Sequence, residues 1–167
     1  MTAPARRLLA ASIACVMLAL PLAAPAADAI VRRPLADFPI ASSVAVPGDA
    51  RIVFVSGTLA DVARPEAPAG SIERLGDTET QAASVLVKIE KELAASGLTM
   101  ADVVKMNVFM VGDPAQGGGM DFGGLMKAYS RHFGEASQGN LPARTTVQVV
   151  ALPLPGALVE IEVVAAR

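Results

Sequence analysis

The sequence contains few aromatic and thiol side chains: it has no tryptophan, one tyrosine, one histidine and one cysteine. So few aromatic side chains do not supply the stacking platforms of a single-strand nucleic-acid binder. The one histidine, His132, stands apart from any Cys, Asp and Glu residues at metal-ligand spacing, which argues against a metal site. The cysteine, Cys15, lies in the N-terminal apolar run, so the rest of the chain has no thiolate, disulfide or Cys-ligated metal.

The first 26 residues have the three parts of a secretory signal peptide. Arg6 and Arg7 form the charged start, residues 8–22 are apolar, and small residues at 24–26 form an Ala-x-Ala site. The apolar run is shorter than the ~20 residues that span a bilayer. We therefore expect cleavage after Ala26, a periplasmic protein and no membrane attachment afterwards.

The charge of the chain does not favour nucleic acid as a partner. Lys and Arg number 14 and Asp and Glu number 16, for a formal charge of −2, and loss of Arg6 and Arg7 would make it −4. No basic face is clustered, as nucleic-acid recognition requires. The length indicates one domain, which we place at 38–167 after an extended arm at 27–37.

Hydrophobic periodicity predicts five strands and two helices. A capping-box pattern at Thr78 and Gln81 starts the first helix, and Gly97 ends it. The second helix covers 120–133. Strands are predicted at 42–46, 51–55 (ending at Ser56-Gly57), 103–111, 144–151 and 157–165, the last two being neighbours joined by a Pro-Gly turn. This order predicts an α+β domain with both helices on one face of a mixed sheet, and a surplus apolar sheet face that favours an oligomer.

Two charged positions in the last strands are candidates for chemistry. Arg144 opens one strand, and arginine binds a carboxylate through two parallel hydrogen bonds. Glu160 lies in the other strand and could orient a water. A solvated arginine at a strand entry is an equally good interpretation of Arg144. For Glu160 and its neighbour Glu162, the polar face of a half-exposed strand is the ordinary one.

Three segments resemble the RidA (YjgF) family of enamine/imine deaminases. They are Val55-Ser56-Gly57, the strand at 102–110, and above all the run Pro142-Ala143-Arg144-Thr145-Thr146-Val147 together with 158–162. The resemblance implies a chorismate-mutase-like fold and a homotrimer with clefts between subunits. It also implies hydrolysis of small 2-aminoacrylate-like enamines and imines to 2-oxo acids and ammonia, without a cofactor.

Carried over by position, Arg144 looks like the carboxylate-binding arginine and Glu160 like the residue that positions water. Ser56, Gly57 and Thr146 look like residues of the substrate cleft. Three departures make the cleft less polar: Thr146 replaces a common cysteine, Met126 replaces a common asparagine, and a residue near Ile40 replaces an aromatic one. Two other hypotheses remain open, a non-catalytic trimer that binds a small carboxylate and a nuclease.

Overall fold

The computed structural model describes residues 29–134 and 138–167. The predicted signal peptide, at 1–26, lies outside this range, as do the first two residues of the predicted arm. Across the described residues, no helix has both the length and the hydropathy to cross a membrane.

The domain consists of one six-stranded sheet and helices, which confirms the α+β prediction. The strands are β1 (Val31–Pro34), β2 (Ala41–Ala45), β3 (Ile52–Leu59), β4 (Val103–Val111), β5 (Ala143–Val149) and β6 (Val159–Ala166). The helices are α1 (Ile72–Leu75), α2 (Thr78–Ala95) and α3 (Phe122–Tyr129), with single 3₁₀ turns at Met100–Asp102 and Pro114–Gln116.

The strand order is β1-β2-β5-β4-β6-β3, so the prediction that the last two strands are neighbours is wrong. β5 runs parallel to both β2 and β4, whereas β6 runs antiparallel to β4 and β3. A parallel pair needs a crossover, and α3 supplies it between β4 and β5. Residues 150–158 then carry the chain past β4, a longer path than the tight turn that a hairpin requires.

Both long helices cover the same face of the sheet, as predicted. The side chains of β4 that face them are fully buried at Met106, Val108 and Met110. They pack against the apolar stripe of α2, which includes Val85, Leu86, Ile89 and Leu93. The other sheet face, here called the open face, carries exposed apolar side chains, among them Phe54, of which 78% is accessible.

The segment predicted as an arm contains an edge strand instead. β1 pairs antiparallel with β2, from Val31 opposite Ala45 to Pro34 opposite Ala41. Arg32 fastens it by donating to the carbonyls of Ala101 and Val103, at 3.1 and 3.0 Å. A strand of four residues is too short for its hydrophobic periodicity to be recognised in the sequence. Its final proline is compatible with a position at the edge of a sheet.

The ends of three other elements differ from the predictions. β3 continues through Ser56-Gly57 to Leu59, with a shift in its pairing with β6 between Val55 and Thr58. α2 is capped by Asp77, which accepts from Thr80 N, and not by Thr78. α3 begins after Asp121 and ends at Tyr129, so it is shorter than the predicted 120–133.

Candidate functional site

Arg144 lies on the helix-covered face of the sheet. It pairs with the fully buried Met106 in the parallel ladder between β4 and β5, and directly paired residues share a face. Its side chain is half-buried and directed toward α3. The interpretation of Arg144 as a solvated strand-entry residue is therefore wrong.

Three aromatic rings surround the Arg144 guanidinium, an arrangement called here the aromatic box. The guanidinium carbon is 4.3 Å from the ring centre of Tyr129, 5.5 Å from that of Phe38 and 5.6 Å from that of Phe122. All three lie within the ~6 Å at which a ring face attracts a cation. Phe38 and Phe122 also stack on each other, with centroids 6.1 Å apart. The box holds the charged group between walls of carbon.

The nitrogens of Arg144 have only a weak acceptor beside them. Both terminal nitrogens lie 3.3 Å from the thioether sulfur of Met126. No carboxylate of the described residues forms an ion pair with Arg144. Burial lowers the pKa of this guanidinium, but arginine stays charged at neutral pH. A partly desolvated cation without a counter-ion is a binding site for an anion.

Tyr129 supports the box without offering its own hydroxyl. The hydroxyl donates to the carbonyl of Pro39 at 2.8 Å, which ties α3 to the segment that carries Phe38. Burial raises the pKa of Tyr129 to about 12, against a smaller opposing effect of Arg144. Tyr129 is therefore neutral over the physiological range.

Thr146 provides a second unsatisfied group on the same face. It follows Arg144 by two residues on β5 and pairs with the buried Val108. Its hydroxyl oxygen is buried, and no described residue gives it a hydrogen-bond partner. Buried hydroxyls are nearly always bonded, so an unsatisfied one beside an unpaired cation indicates a place for a polar ligand.

Glu160 lies on the opposite, open face. It pairs with Phe109 on β4, three residues from the partner of Arg144, and β4 separates the two strands. Two strand spacings of ~4.8 Å and three residues of ~3.3 Å each place the two Cα atoms roughly 14 Å apart. Within one chain the structure therefore does not bring Arg144 and Glu160 together.

Gly57 adjoins Glu160 on the open side. A methyl group at Gly57 would lie 2.0 Å from a Glu160 carboxylate oxygen. Any residue other than glycine would therefore force this carboxylate to move. Ser56 and Gly57 occupy the shift in β3. The cavity of about 340 Å³ that they line is bounded by Glu92 and Ser96 at the end of α2, and Glu160 does not line it. Glu162 shares the face of Glu160, as alternation predicts, but it accepts a hydrogen bond from Asn107 at 2.7 Å.

The aromatic box was not predicted from the sequence. Phe122, Met126 and Tyr129 stand on the apolar stripe of the second helix, a pattern that ordinarily indicates core. An aromatic residue is also present where Ile40 was expected to replace one, because Phe38 covers Arg144 and Ile40 packs against the core. The sequence feature that could have indicated the box was a single arginine on a strand that faces such a stripe.

His132 lies in the turn that follows α3, not in the helix predicted at 120–133; it is half-buried, and burial lowers its pKa. Among residues 29–134 and 138–167, no three His, Cys, Asp or Glu side chains converge in a way that could hold a metal ion.

Comparison with known proteins agrees with this fold. The family model described as Endoribonuclease L-PSP matches residues 38–167. Protein DfrA of Myxococcus xanthus is 38% identical over 124 residues, which cover 74% of this chain and 82% of that one. The 2-iminobutanoate/2-iminopropanoate deaminase of Rattus norvegicus is 32% identical over 117 residues, which cover 70% and 74%.

Among solved structures, Escherichia coli TdcF with bound serine superposes with a TM-score of 0.53 at 30% identity, covering 81% of this chain and 94% of that one. The region matched by the family model, residues 38–167, includes every strand from β2 onward and all residues of the aromatic box. The chain therefore belongs to the RidA (YjgF) family, whose family model bears the name Endoribonuclease L-PSP.

Proposed function

We propose that this protein hydrolyses reactive enamine and imine intermediates to 2-oxo acids and ammonia, with Arg144 binding the substrate carboxylate. The observation that carries the proposal is the charged, half-buried Arg144 without a carboxylate partner, beside the unsatisfied hydroxyl of Thr146. Two similar proteins support it: one is named a deaminase of 2-imino acids, and the other holds serine, which carries a carboxylate.

The proposed reaction needs positioning more than a strong catalyst, because an imine carbon is already electrophilic. The substrate R–C(=NH)–COO⁻ is held by Arg144, and a water positioned by Glu160 adds its oxygen to the C=N carbon. Protons move from the water to nitrogen, the C–N bond breaks, and ammonia leaves. The oxygen remains as the carbonyl of R–CO–COO⁻, and no electron acceptor is involved.

The proposal requires two copies of the chain at each site. Arg144 and Glu160 lie on opposite faces of one sheet, so one copy supplies the carboxylate-binding group and a neighbour supplies Glu160, Gly57 and Ser56. Exposed apolar side chains on the open face, including Phe54 and Val147, favour such an assembly. We propose a homotrimer with three inter-subunit clefts.

Release of ammonia and 2-oxo acid from an imine made in situ by an amino-acid oxidase tests this function. Arg144→Ala should lower kcat/KM by at least about 30-fold, since truncating one side of a desolvated charge pair costs about 2–5 kcal/mol. Arg64→Ala is the matched control, because Arg64 forms only an exposed 4.0 Å ion pair with Glu73. Equal rates for Arg144→Ala and the unmodified protein would refute the role of Arg144.

A non-catalytic carboxylate binder is the second candidate, since the same unpaired cation would serve it. It predicts 2-oxo acid binding that depends on Arg144, without saturable turnover of any imine.

A nuclease is the third candidate, because the name of the matching family model is that of an endoribonuclease. Cleavage of RNA that follows the protein through purification and is lost in Arg144→Ala would support that activity instead.

We also propose that the protein works in the periplasm after removal of residues 1–26, on the strength of the charged, apolar and small-residue segments in that stretch. N-terminal sequencing of the protein from a periplasmic fraction should find Ala27, or a residue within a few positions of it, as the first residue. An intact Met1 in the cytoplasmic fraction would overturn this.

A further inference from the structure

A thioether occupies the edge of Arg144 to which a carboxylate would bind. The Met126 sulfur is 3.3 Å from both terminal nitrogens, the position between the two donors that an acceptor takes in a two-pronged contact. Sulfur is a weak acceptor, so a carboxylate in its place would make far stronger bonds. Methionine has three rotatable side-chain bonds, so it can leave that edge at little cost.

The side chains around that edge of the Arg144 guanidinium present mainly carbon atoms and few polar atoms. Phe38 and Phe122 flank the guanidinium, and the Tyr129 hydroxyl is already bonded to Pro39. Thr146 is the exception, and its hydroxyl lies beside Arg144 along the strand. A polar substituent on a bound substrate would lose its hydration against these walls without regaining a hydrogen bond, whereas an apolar substituent would be stabilised by burial.

A mainly apolar cavity adjoins the box. It has a volume of about 410 Å³, and its lining includes Pro34, Leu35, Pro39 and Leu141, with Asp37 as its one charged residue. Phe38 belongs to both structures, because it lines the cavity and covers Arg144. Arg144 and Met126 do not line this cavity, so a side chain larger than a methyl group would reach it by displacing the Phe38 ring.

We infer that the site prefers imines of amino acids with large apolar or aromatic side chains, and that the substrate carboxylate displaces the Met126 sulfur from Arg144. This inference rests on the proposed function and refines it, because the small 2-aminoacrylate-like substrates implied by the family resemblance would leave the apolar surfaces beside Arg144 uncovered. The atoms of the reaction balance as above, with R being benzyl or isobutyl.

Competition with a semicarbazide trap tests the preference. An oxidase makes imines from phenylalanine, leucine and alanine, and its peroxide output reports how much imine each amino acid supplies. The kcat/KM for the phenylalanine imine should exceed that for the alanine imine by at least about 10-fold, the scale on which a hydrophobic pocket discriminates by size. Met126→Asn and Phe38→Ala should each reduce this ratio at least about fivefold.

The controls separate the box from general effects. Val87→Asn places the same polar group on an exposed position of α2 and should leave the ratio unchanged. Phe38→Leu replaces Phe38→Ala if the latter does not fold, and it should give an intermediate ratio. A ratio near one in the unmodified protein, or one that neither Met126→Asn nor Phe38→Ala changes, overturns the inference while the deaminase proposal stands.

Binding of 2-oxo acids gives a reading independent of turnover. In calorimetric titrations, phenylpyruvate should bind at least about 10-fold more tightly than pyruvate, and Met126→Asn should narrow the gap. If no imine is turned over but this order of affinities holds, the deaminase proposal fails and the apolar preference of the site survives. Equal affinities for the two acids contradict the preference.

Discussion

The site depends on single residues that cannot be replaced without moving a neighbour, and Gly57 is the clearest of them. Any Cβ at this position would meet the Glu160 carboxylate oxygen at 2.0 Å. Since that oxygen is the far end of a flexible side chain, the fold can tolerate the collision by moving Glu160. A residue without a side chain thus controls where a neighbouring carboxylate lies.

Gly57→Ala should therefore lower activity more than stability. We expect kcat to fall by about 10- to 100-fold, because small misplacements of a positioning group have effects on this scale. The midpoint of thermal unfolding should change little, as should the affinity for a 2-oxo acid bound by Arg144. Gly48→Ala is the matched control, since nothing lies within 4 Å of a methyl group there. Unchanged kcat in Gly57→Ala would remove Glu160 from the mechanism.

Tyr129 gives a spectroscopic test of the box. It is the chain's one tyrosine and there is no tryptophan, so tyrosinate absorbance reports on it alone. In the folded protein the absorbance should rise near pH 12, and in denaturant near pH 10. A raised pKa stabilises the fold fully below about pH 10, and this contribution is lost as the pH rises toward 12. A folded-state midpoint near 10 would mean that the ring is not buried beside Arg144.

At the scale of elements, the start of α2 shows where sequence reasoning and structure part. Thr78 and Gln81 have the spacing of a capping box, but Asp77 caps the helix and Gln81 turns inward. Its amide donates to the carbonyls of Gly76 and Gly156 and accepts from Leu158 N. Gln81 thereby fixes the segment that leads into β6, and with it the strand that carries Glu160.

Removing the cap should destabilise the protein, and removing the Thr78 hydroxyl should not. Asp77→Ala is expected to lower the free energy of unfolding by about 1 kcal/mol, the usual effect of losing a helix cap. Thr78→Val should be neutral or slightly stabilising, because the Thr78 hydroxyl is buried without a partner. Urea unfolding of both variants measures this, and the reverse order would restore Thr78 as the cap.

The elements whose patterns are local could be predicted, and the contacts between elements could not. β4 was predicted at its observed bounds because apolar and polar residues alternate along it. β1 was missed because its four residues gain their structure from pairing with β2. The separation of β5 from β6 follows from the crossover through α3, which no single strand encodes. Arg144 could be picked out as a candidate from the sequence, but the face it occupies depends on that strand order.

At the scale of the whole molecule, the opposite positions of Arg144 and Glu160 permit a complementation test. Arg144→Ala and Glu160→Gln should each be nearly inactive. When the two variants are unfolded together and refolded, the proposed trimers should contain both kinds of chain, and about a quarter of the clefts should receive one intact copy of each group by random association. Ammonia release should recover to roughly that fraction of the unmodified rate. Absence of recovery, with mixing verified by mass, would place both groups in one chain's site or remove one of them from it.

The open face provides the matching test of assembly. Phe54→Glu places a charge at an apolar position of which 78% is exposed in the single chain. We expect it to shift the protein from the proposed trimer to a monomer in sedimentation, because a charge is costly to bury in an interface core. Val62→Glu, on an exposed loop, is the control. A trimer that persists in Phe54→Glu would exclude this face from the interface.

Because the sheet separates Arg144 from Glu160 within one chain, the rate of the proposed reaction should depend on protein concentration. A single chain would keep its affinity for the carboxylate of a 2-oxo acid, because the aromatic box is complete within it. It would have no Glu160 to bring to that ligand. Turnover per chain should therefore decline at concentrations below the dissociation constant of the assembly, while binding per chain stays constant.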